Sequence, residues 1–494
     1  MRRFSLFTLP AVVFFALASQ LSGNPIAIEN QKPGTSAWAP NSPARLHEIE
    51  GYASRTSVNR GEQISLFVNT AESSYTMQVF RIGWYRGLGG RAMTAVITLP
   101  GVSQPIPAAD PVTGLIECNW RSPYTLQIPY NAADPTEWAS GIYLVKLISG
   151  TSKRQAYINF TVRDDARRSD YLFQSAVTMY QAYNDWGGKS LYKGTDPVAR
   201  KVSFNRPYDI FQGNGSGKFL NNGGWEINML RWLEREGYDV SYSTNVDTHT
   251  SPALLSSHKV FLSVGHDEYW SHEMRTNITS ARDSGLSLAF FSANSIYWQV
   301  RFEPSMITAD ANRTMVCYKR IDLDPIRFDG NPANDHLTTI KFRDLGRPED
   351  ALIGVMYTYN PVDSDIVIEK ADHPLFFGTG LKAGDKLPGL LGYEVDRMFG
   401  NAPPTTERLA RSPFTTIEGS SDYSDMTVYT AASGAVVFAA GTIQWSWGLD
   451  DFNVGPGGRT SRLNPAAQQI TRNVLLMAAR RPIVSRRSRI TRPR

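Results

Sequence analysis

Apolar and polar residues alternate with a period of two through much of residues 46–163. In the run QISLFVNT, Ile64, Leu66 and Val68 alternate with polar residues, and the run QAYINFTVR repeats the pattern. This alternation is typical of strands with one buried face, and Gly and Pro residues punctuate the segment. We therefore predict an immunoglobulin-like β-sandwich over residues 46–165.

The pattern changes after residue 165. Short, continuously apolar runs, which suit strands buried on both faces, occur at YLFQSA (171–176), YDVSYST (238–244), KVFLSVG (259–265) and SLAFFSAN (287–294). Helical periodicity separates them at residues 225–236 and at residues 271–283, where Ser271 is the expected N-cap. Strand and helix in alternation predict a parallel sheet covered by helices on both faces.

This segment therefore predicts an α/β domain over residues 166–481, with a mostly parallel, flavodoxin-like (class I glutamine amidotransferase-like) sheet. Strand patterns return between residues 337 and 442, which predicts β-rich C-terminal additions. Residues 465–479 read as a closing helix. A chain of 494 residues is long enough for this multidomain organisation.

The N-terminus has the features of an export signal. Arg2 and Arg3 precede an apolar run that ends at the small residues of positions 16–18. At about 14 residues the run is short for a membrane span, which needs about 20. We predict a signal peptide over residues 1–18, a linker over residues 19–45, and a secreted or periplasmic protein with no transmembrane segment after cleavage.

The excess of positive charge comes from the C-terminus. The chain holds 51 Lys and Arg against 46 Asp and Glu, but its last fifteen residues contain seven Arg and no acid. The rest of the chain then carries 44 basic and 46 acidic residues, a net charge of −2. We predict a basic tail over residues 482–494 and no nucleic-acid partner, because nucleic-acid binding needs basic residues on a folded face.

Two cysteines leave two interpretations open. Cys118 and Cys317 lie about two hundred residues apart and could pair outside the cytosol. The alternative is two buried, small hydrophobic residues. A zinc site built from cysteines is excluded, because it needs more ligands.

The candidate chemistry lies where the predicted strands end. In an open α/β sheet the ligand site lies beyond the carboxyl ends of the strands. KVFLSVG leads directly into His266, Asp267, Glu268 and Tyr269, and SLAFFSAN ends at Asn294. Buried polar groups cost free energy unless they are paired or used, so their convergence predicts a functional site at this edge.

The usual hydrolase and nucleotide-binding motifs are missing from the sequence. It contains no GxSxG, HExxH or GxxxxGK[ST] pattern. A hard metal ion held by tyrosine and glutamate oxygens remains open, and such donors suit Fe(III). The charge of that ion would lower the pKa of a phenol and of a bound water.

Seven runs carry a resemblance to a known family, in the same order and over nearly the whole chain after the signal. The sequence resembles the N,N-dimethylformamidase large (beta) subunit family in the runs FRIGWYRGLGGR, GLIECNW, AYNDWGGKSLY, VSFNRPY, RWLEREGYDVSYSTNVDTH, SVGHDEYWS and GTIQWSWGLDD. The resemblance implies an amidohydrolase with a small-molecule amide substrate. It also suggests a small partner subunit, and a homo-oligomer is a further possibility.

The resemblance further implies a mononuclear Fe(III) held by two tyrosines and one glutamate. Tyr269 matches one tyrosine, and Glu349 in RPEDALIGV is the best match for the glutamate. The second tyrosine is expected near the start of the helix at residues 225–236, where this chain has none. Tyr183 and Tyr242, near predicted strand ends, are the candidates to replace it.

If iron is bound, a nearby base must position the attacking water. Glu394 in LLGYEVD and His266 are the candidates for this base, and Asn294 for a donor to the oxyanion. Asp267 and Glu268 could instead orient His266. The sequence thus predicts an exported, iron-dependent amidohydrolase that cleaves a small amide or a related C–N bond. The alternative is a non-catalytic cell-envelope or carbohydrate-binding protein that retains the fold.

Overall fold

The computed structural model describes residues 23–194, 198–208, 224–455 and 459–480. The predicted signal peptide (1–18) and basic tail (482–494) lie outside these residues. Within the described ranges, no helix is both long and apolar enough to span a membrane.

Helices are few and mostly short, and strands are numerous. The helices are α1 Pro25–Glu29, α2 Val177–Ala182, α3 Trp225–Arg235, α4 Asn245–Thr250, α5 Pro252–Leu255, α6 His272–Asp283, α7 Asp350–Ile353 and α8 Pro465–Ala479. The strands of the first part of the chain are β1 Glu50–Ala53, β2 Ser57–Asn59, β3 Gln63–Asn69, β4 Ser74–Ile82, β5 Gly90–Ala92, β6 Ile97–Pro100, β7 Tyr124–Gln127, β8 Gly141–Ser149 and β9 Gln155–Arg163. The remaining strands are β10 Tyr171–Ser175, β11 Lys201–Ser203, β12 Val240–Thr244, β13 Val260–His266, β14 Tyr269–Ser271, β15 Ser287–Ala293, β16 Trp298–Glu303, β17 Thr314–Val316, β18 Met356–Val367, β19 Lys386–Arg397, β20 Glu407–Thr415, β21 Ser421–Thr430 and β22 Val436–Ala439.

The N-terminal part forms two sheets whose pairings are antiparallel except for one. One sheet has the order β1-β3-β7, and the other has the order β2-β9-β8-β4-β5, with β6 also paired to β4. The parallel exception is the pairing of β2 with β9. Ile64, Leu66 and Val68 of β3 are buried, as the alternation predicts. The immunoglobulin-like assignment of these sheets stays a prediction.

Strand β9 departs from the predicted alternation. All its residues except Arg163 are buried. The strand packs against β1 on the N-terminal side and against β12 of the following part. Because neighbours cover both of its faces, the polar positions of the alternation are buried as well.

The second part is built on a mixed seven-stranded sheet. Five parallel strands have the order β12-β10-β13-β15-β22, and β21 and β20 extend the sheet antiparallel. Numbered along the chain, the parallel strands run 2-1-3-4-5, an order found in doubly wound α/β sheets. The sheet is therefore mixed, and its flavodoxin-like assignment stays a prediction.

Apolar residues on the two faces of this sheet belong to two separate clusters. Phe261 and Phe290 pack with α6 in one cluster. Leu262 and Phe291 belong to the other, together with apolar residues of α3 and α8. Continuous apolar runs are therefore buried on both faces, as the sequence predicts.

The predicted helices of this part are present. Helix α3 begins at the predicted residue, and α8 has the predicted bounds. Ser271 caps α6, because its hydroxyl accepts the Met274 N–H at 3.0 Å. Two further sheets accompany the central one: β11-β17-β16-β14 and the long hairpin β18-β19.

A buried ion pair joins the N-terminal sheets to α3. Arg81 of β4 donates to both carboxylate oxygens of Glu234 at 2.7 and 2.9 Å, and neither side chain is exposed. Asn30 and Tyr242 also donate to this carboxylate, at 2.7 and 2.8 Å. The hydrogen bonds compensate the cost of burying the charges.

Cys118 and Cys317 are both buried and are not joined to each other. Burial raises the pKa of the Cys317 thiol to about 12. The structure therefore has two buried, protonated thiols, the second of the two interpretations that the sequence left open.

Candidate active site

Neighbouring strands β13 and β15 bring the candidate residues to one edge of the sheet. The strands are parallel and in register, with His266 opposite Ala293. Glu268 and Tyr269 follow the first strand, and Asn294 follows the second. Because the carboxyl ends of parallel strands meet at one edge, these polar side chains are close together.

Glu394 faces His266 from the β18-β19 hairpin. The Glu394 Oε2 atom lies 3.0 Å from His266 Nε2. Asn294 Nδ2 donates to the same oxygen at 2.6 Å, and Asn360 Nδ2 donates to Oε1 at 3.0 Å. All four side chains converge although they come from β13, the turn after β15, β18 and β19.

Glu394 is held in its ionised form. Burial alone would raise its pKa, but the positive charge of His266 and hydrogen bonds from His266, Asn294 and Asn360 lower the pKa below its ordinary value. A carboxylate in reach of an imidazole can accept and pass on a proton. The pair has the composition of a general base.

Glu268 is the centre of a second group that contains three phenols. Tyr192 donates to its two carboxylate oxygens at 3.1 and 3.3 Å, and Tyr183 donates at 3.3 Å. The Tyr269 hydroxyl contacts the Tyr192 hydroxyl. Glu268 Oε2 also lies 3.6 Å from His266 Nε2, so the two groups are adjacent. We call Glu268, Tyr183, Tyr192 and Tyr269 the phenol cluster.

A lysine and aromatic stacking surround the phenol cluster. Lys319 Nζ lies 3.3 Å from the ring centroid of Tyr192 and 5.2 Å from that of Trp298. The rings of Tyr183 and Tyr192 stack with centroids 4.2 Å apart. Tyr192 is 43% exposed, so the cluster reaches the surface at this ring.

Burial governs the protonation of this cluster in the absence of a cation. It raises the pKa of Glu268 and raises the pKa of Tyr269 well above its ordinary value. The negative charge of Glu268 raises the pKa of Tyr269 further. A phenolate here therefore needs a positive charge among the oxygens.

The structure brings five of the seven predicted site residues to this edge and places two elsewhere. His266, Asn294, Glu394, Tyr183 and Tyr269 lie at the site described above. Tyr242 is buried beside Arg81 and donates to Glu234 at 2.8 Å. Glu349 pairs with Arg343 at 3.1 and 3.2 Å, and no described hydrogen bond or ion pair joins it to the phenol cluster.

Both displacements have a physical reason. Tyr242 lies inside β12, whose side chains are all buried, so its hydroxyl faces α3 rather than the strand end. Glu349 immediately precedes α7, and its carboxylate is buried against the Arg343 guanidinium. Proximity to predicted strand ends and similarity of local sequence did not reveal these partners.

Sequence reasoning missed the importance of Glu268, Tyr192, Lys319 and Asn360. Tyr192 ends the run AYNDWGGKSLY, whose only signal in the sequence is the family resemblance. Glu268 was expected at most to orient His266. Asp267, expected in the same role, instead accepts hydrogen bonds from Gln174 and Ser263 of the sheet and from Asn245 at the start of α4.

The phenol cluster is an unusual donor set. Among the described residues, no group of three or more His, Cys, Asp or Glu side chains is arranged to hold a metal ion. Phenol oxygens supply most of the donors here. Hard oxygen donors of this kind match Fe(III) better than they match Zn²⁺ or Cu²⁺.

A cavity of about 510 Å³ adjoins the same loop. Its lining includes Asp185, Trp186 and Lys193, which belong to the same stretch of chain as Tyr183 and Tyr192. The His266–Glu394 pair and Glu268 lie outside the lining of this cavity.

Likeness to solved structures is weak. The chain is 13% identical to Pseudomonas fluorescens alkylpurine DNA glycosylase AlkC bound to DNA with an abasic site analog, covering 24% of this chain and 30% of that one, with a TM-score of 0.15. For murine CEACAM1b the identity is 13%, the coverage 25% and 56%, and the TM-score 0.13. For Parabacteroides merdae β-glucuronidase these values are 10%, 50% and 33%, and 0.15. Likenesses this weak, each spanning less than two thirds of the other chain, carry no argument about fold or function.

Family membership rests on the sequence. No curated protein matches the chain. The sequence profile described as "N,N-dimethylformamidase beta subunit-like, C-terminal" matches residues 76–459, more than half of the chain. The match includes every residue of the phenol cluster and the His266–Glu394 pair. The chain therefore belongs to the N,N-dimethylformamidase beta subunit-like family.

Proposed function

We propose that this protein is a dimethylformamidase-like amidohydrolase that cleaves the C–N bond of a small amide with the help of an iron ion. The observation that carries the proposal is the phenol cluster beside the His266–Glu394 pair. One group supplies oxygen donors for a hard cation, and the other supplies a base for proton transfer. Family membership supports the hydrolase class.

The donors of the phenol cluster fit Fe(III). The resemblance implies two tyrosines and one glutamate, and Glu268 contacts Tyr192, which contacts Tyr269. These three residues would hold the ion, with Tyr183 as the nearest alternative phenol. This proposed set differs from the one that the resemblance implies, which is Tyr269 and Glu349 with Tyr183 or Tyr242 as the second tyrosine. Bound iron would supply a Lewis acid that polarises an amide carbonyl.

The neighbouring residues would handle the protons. Glu394, as a carboxylate, would take a proton from the attacking water as the new C–O bond forms at the carbonyl carbon. The C–N bond then breaks, its electron pair stays on nitrogen, and the Glu394–His266 pair returns the proton to that nitrogen. Amide and water give carboxylic acid and amine.

Asn294 and Asn360 hold the base in place. Both donate to Glu394, and together they bond to both of its oxygens. One Asn294 Nδ2 hydrogen is thereby used, so donation to the oxyanion, the role expected for Asn294, would use its second hydrogen. Pre-oriented donors of this kind lower the cost of reorganisation during reaction.

Export and assembly are separate parts of the proposal. The charged and apolar N-terminal sequence supports secretion or a periplasmic location. The name of the family refers to one subunit of an enzyme, which supports a small partner subunit. A homo-oligomer remains a further proposal.

The direct test combines iron analysis with an amide assay. Purified protein should contain iron, absorb in the visible through tyrosinate-to-iron charge transfer, and release amine from a panel of small amides. Glu394→Gln should lower kcat about 100-fold or more, the usual effect of losing a general base. Glu369→Gln, on a surface pair with Arg408, is the matched control.

Two results would overturn the proposal. One is purified protein without iron or visible absorption that releases no amine from any amide. The other is binding to cell-wall glycans that survives substitution of both Tyr269 and Glu268, which would favour a non-catalytic protein. Full activity of Glu394→Gln would remove Glu394 as the base.

A further inference from the structure

Asn294 has a backbone conformation that non-glycine residues seldom adopt. Its φ is +50°, in the left-handed region, at the turn that follows β15. Asparagine tolerates this region better than most residues, but neighbouring contacts must still favour it. Its backbone N–H donates to the Asp396 carboxylate at 2.8 Å.

Asp396 lies on a firmly held strand beside the base. Asp396 and Glu394 are two positions apart on β19, so their side chains share one face. The Asp396 N–H donates to the Gly441 carbonyl at 3.0 Å, and the Ser424 hydroxyl donates to the Asp396 carbonyl at 2.8 Å. Its side chain is 1% exposed.

The two carboxylates therefore hold Asn294 at two points. Asp396 accepts its backbone N–H, and Glu394 accepts its side-chain N–H at 2.6 Å. Glu394 in turn lies 3.0 Å from His266. Asp396 is therefore linked to the His266–Glu394 pair through Asn294, and not by a described hydrogen bond of its own.

We propose that Asp396 is a positioning residue: by accepting the Asn294 N–H, it holds the left-handed turn that directs the Asn294 amide to Glu394. This inference rests on the proposed function, because positioning is useful only if Glu394 transfers protons. Loss of the acceptor releases the turn, moves the Asn294 amide and leaves Glu394 less well fixed. Misplacement of a reacting group by about 1 Å can cost on the order of 100-fold in rate.

Asp425 is a matched control. It is also a buried carboxylate of the neighbouring β21, and its Oδ2 accepts the backbone N–H of Met398 at 3.0 Å. Burial raises the pKa of both Asp425 and Asp396. No described hydrogen bond or ion pair joins Asp425 to His266, Asn294 or Glu394. Substitution at Asp425 therefore reproduces the structural loss without the positioning effect.

The kinetic test compares Asp396→Leu, Asp396→Asn and Asp425→Leu in the full chain. Asp396→Leu should lower kcat by roughly 10- to 100-fold and change KM little. Asp396→Asn keeps an oxygen that can accept the Asn294 N–H and should restore most of kcat. Asp425→Leu should leave kcat near the wild-type value. If Asp396→Leu does not fold, Asp396→Ser removes the carboxylate that accepts the Asn294 N–H, with a smaller change in polarity.

A spectroscopic test does not depend on activity, and so it separates this inference from the proposed function. If the wild-type protein hydrolyses no amide, the proposed function fails, and NMR with ¹⁵N-labelled His and Asn decides on Asp396 alone. Asp396→Leu should shift the Asn294 side-chain amide and the His266 ring nitrogens, and Asp425→Leu should not. Unchanged signals in Asp396→Leu, equal shifts in both variants, or equal kcat losses in both would overturn the proposal.

Discussion

Glu268 and Glu349 are two buried carboxylates with different partners. Burial raises the pKa of each. Glu349 is compensated by the guanidinium of Arg343 at 3.1 Å. Glu268 instead accepts hydrogen bonds from the phenols of Tyr183 and Tyr192, which can become negatively charged themselves, and its nearest basic group is His266 Nε2 at 3.6 Å. A cation would stabilise the second arrangement far more than the first.

If the protein binds iron as proposed, substitution of these two residues tests which carboxylate holds the ion. Glu268→Gln should lower the iron affinity by at least about tenfold and weaken the visible absorption, because it removes an anionic oxygen donor. Glu349→Gln should retain iron while it loses stability. Metal analysis after dialysis against a weak chelator, with unfolding curves for both variants, makes the measurement.

The reverse pattern, with iron lost from Glu349→Gln and kept by Glu268→Gln, would contradict the assignment.

A second control comes from substitution of tyrosines. Tyr269→Phe should bleach the absorption, whereas Tyr242→Phe, in the buried network of Glu234, should leave the colour unchanged.

Part of this site could be predicted from the sequence. His266 and Asn294 follow apolar strand runs directly, so the end-of-strand rule finds them without a structure. Glu394 in LLGYEVD is a candidate only from its place along the chain, since no motif marks it. Tyr192 could not be found in this way, because it lies in an irregular loop and its contact with Glu268 joins residues 76 positions apart.

At the level of elements, the close packing of α3 against the end of β13 depends on one glycine. Gly265 has φ +72°, which an L-residue adopts only with strain. A Cβ at this position would lie 2.7 Å from Trp225 Cβ at the start of α3. The glycine thus allows α3 to approach the strand immediately before His266.

Gly265→Ala should therefore cost stability and activity together. We expect a loss of roughly 2–4 kcal/mol in the free energy of unfolding, from backbone strain and from overpacking against Trp225. Gly346→Ala is the control, since Gly346 has φ +71° but no atom near the added Cβ. It should lose only about 1–2 kcal/mol. Equal losses in denaturant unfolding would show that the contact with Trp225 is unimportant.

Strands and helices with strong patterns were predictable, and irregular segments were not. Strands β10, β12, β13 and β15 are buried on both faces. Their sequences are therefore short, continuous apolar runs, and such runs predict buried strands. The sequence pattern predicts that the returning strands begin near residue 337, so that residues 337–355 would be part of them. These residues contain short 3-10 turns and α7 instead, and β18 starts at Met356. Glycines at 346 and 354 end those turns with positive φ, a signal that a strand pattern does not contain.

At the scale of the molecule, Arg81 and Glu234 connect the two parts of the chain. Arg81→Leu should reduce the free energy of unfolding by about 3–5 kcal/mol, because it leaves Glu234 buried and unpaired. Arg55→Leu, which breaks the exposed pair with Glu62, should cost about 1 kcal/mol or less. Denaturant unfolding of both variants makes the comparison. A small effect of Arg81→Leu would show that Asn30 and Tyr242 alone stabilise the carboxylate.

Stability should fall as the pH rises toward 8. Burial raises the pKa of Glu226, in the first turn of α3, from 4.5 to about 8. The folded chain then keeps a proton that the unfolded chain releases, so the contribution is full below pH 4.5 and lost as the pH approaches 8. The slope can reach about 1.4 kcal/mol per pH unit.

Glu226→Gln should remove this contribution and make the protein more stable than wild type near pH 8. Unfolding free energies between pH 5 and 8, about the range between the two pKa values, test this. Burial raises the pKa of Asp396 to about 7, so part of the slope should remain in the variant. Parallel curves for the two proteins would contradict a protonated Glu226 in the folded chain.

The buried ion pair between β4 and α3 also limits how such a protein can be rearranged by recombination. The same helix carries Trp225 and Glu226 at one end and Glu234 at the other. If the second part of the chain were inherited without the preceding sheets, the Glu234 carboxylate of this helix would lose its Arg81 and Asn30 partners and face solvent. Gene fusions that shuffle the two parts independently would therefore relax the need for a carboxylate at Glu234.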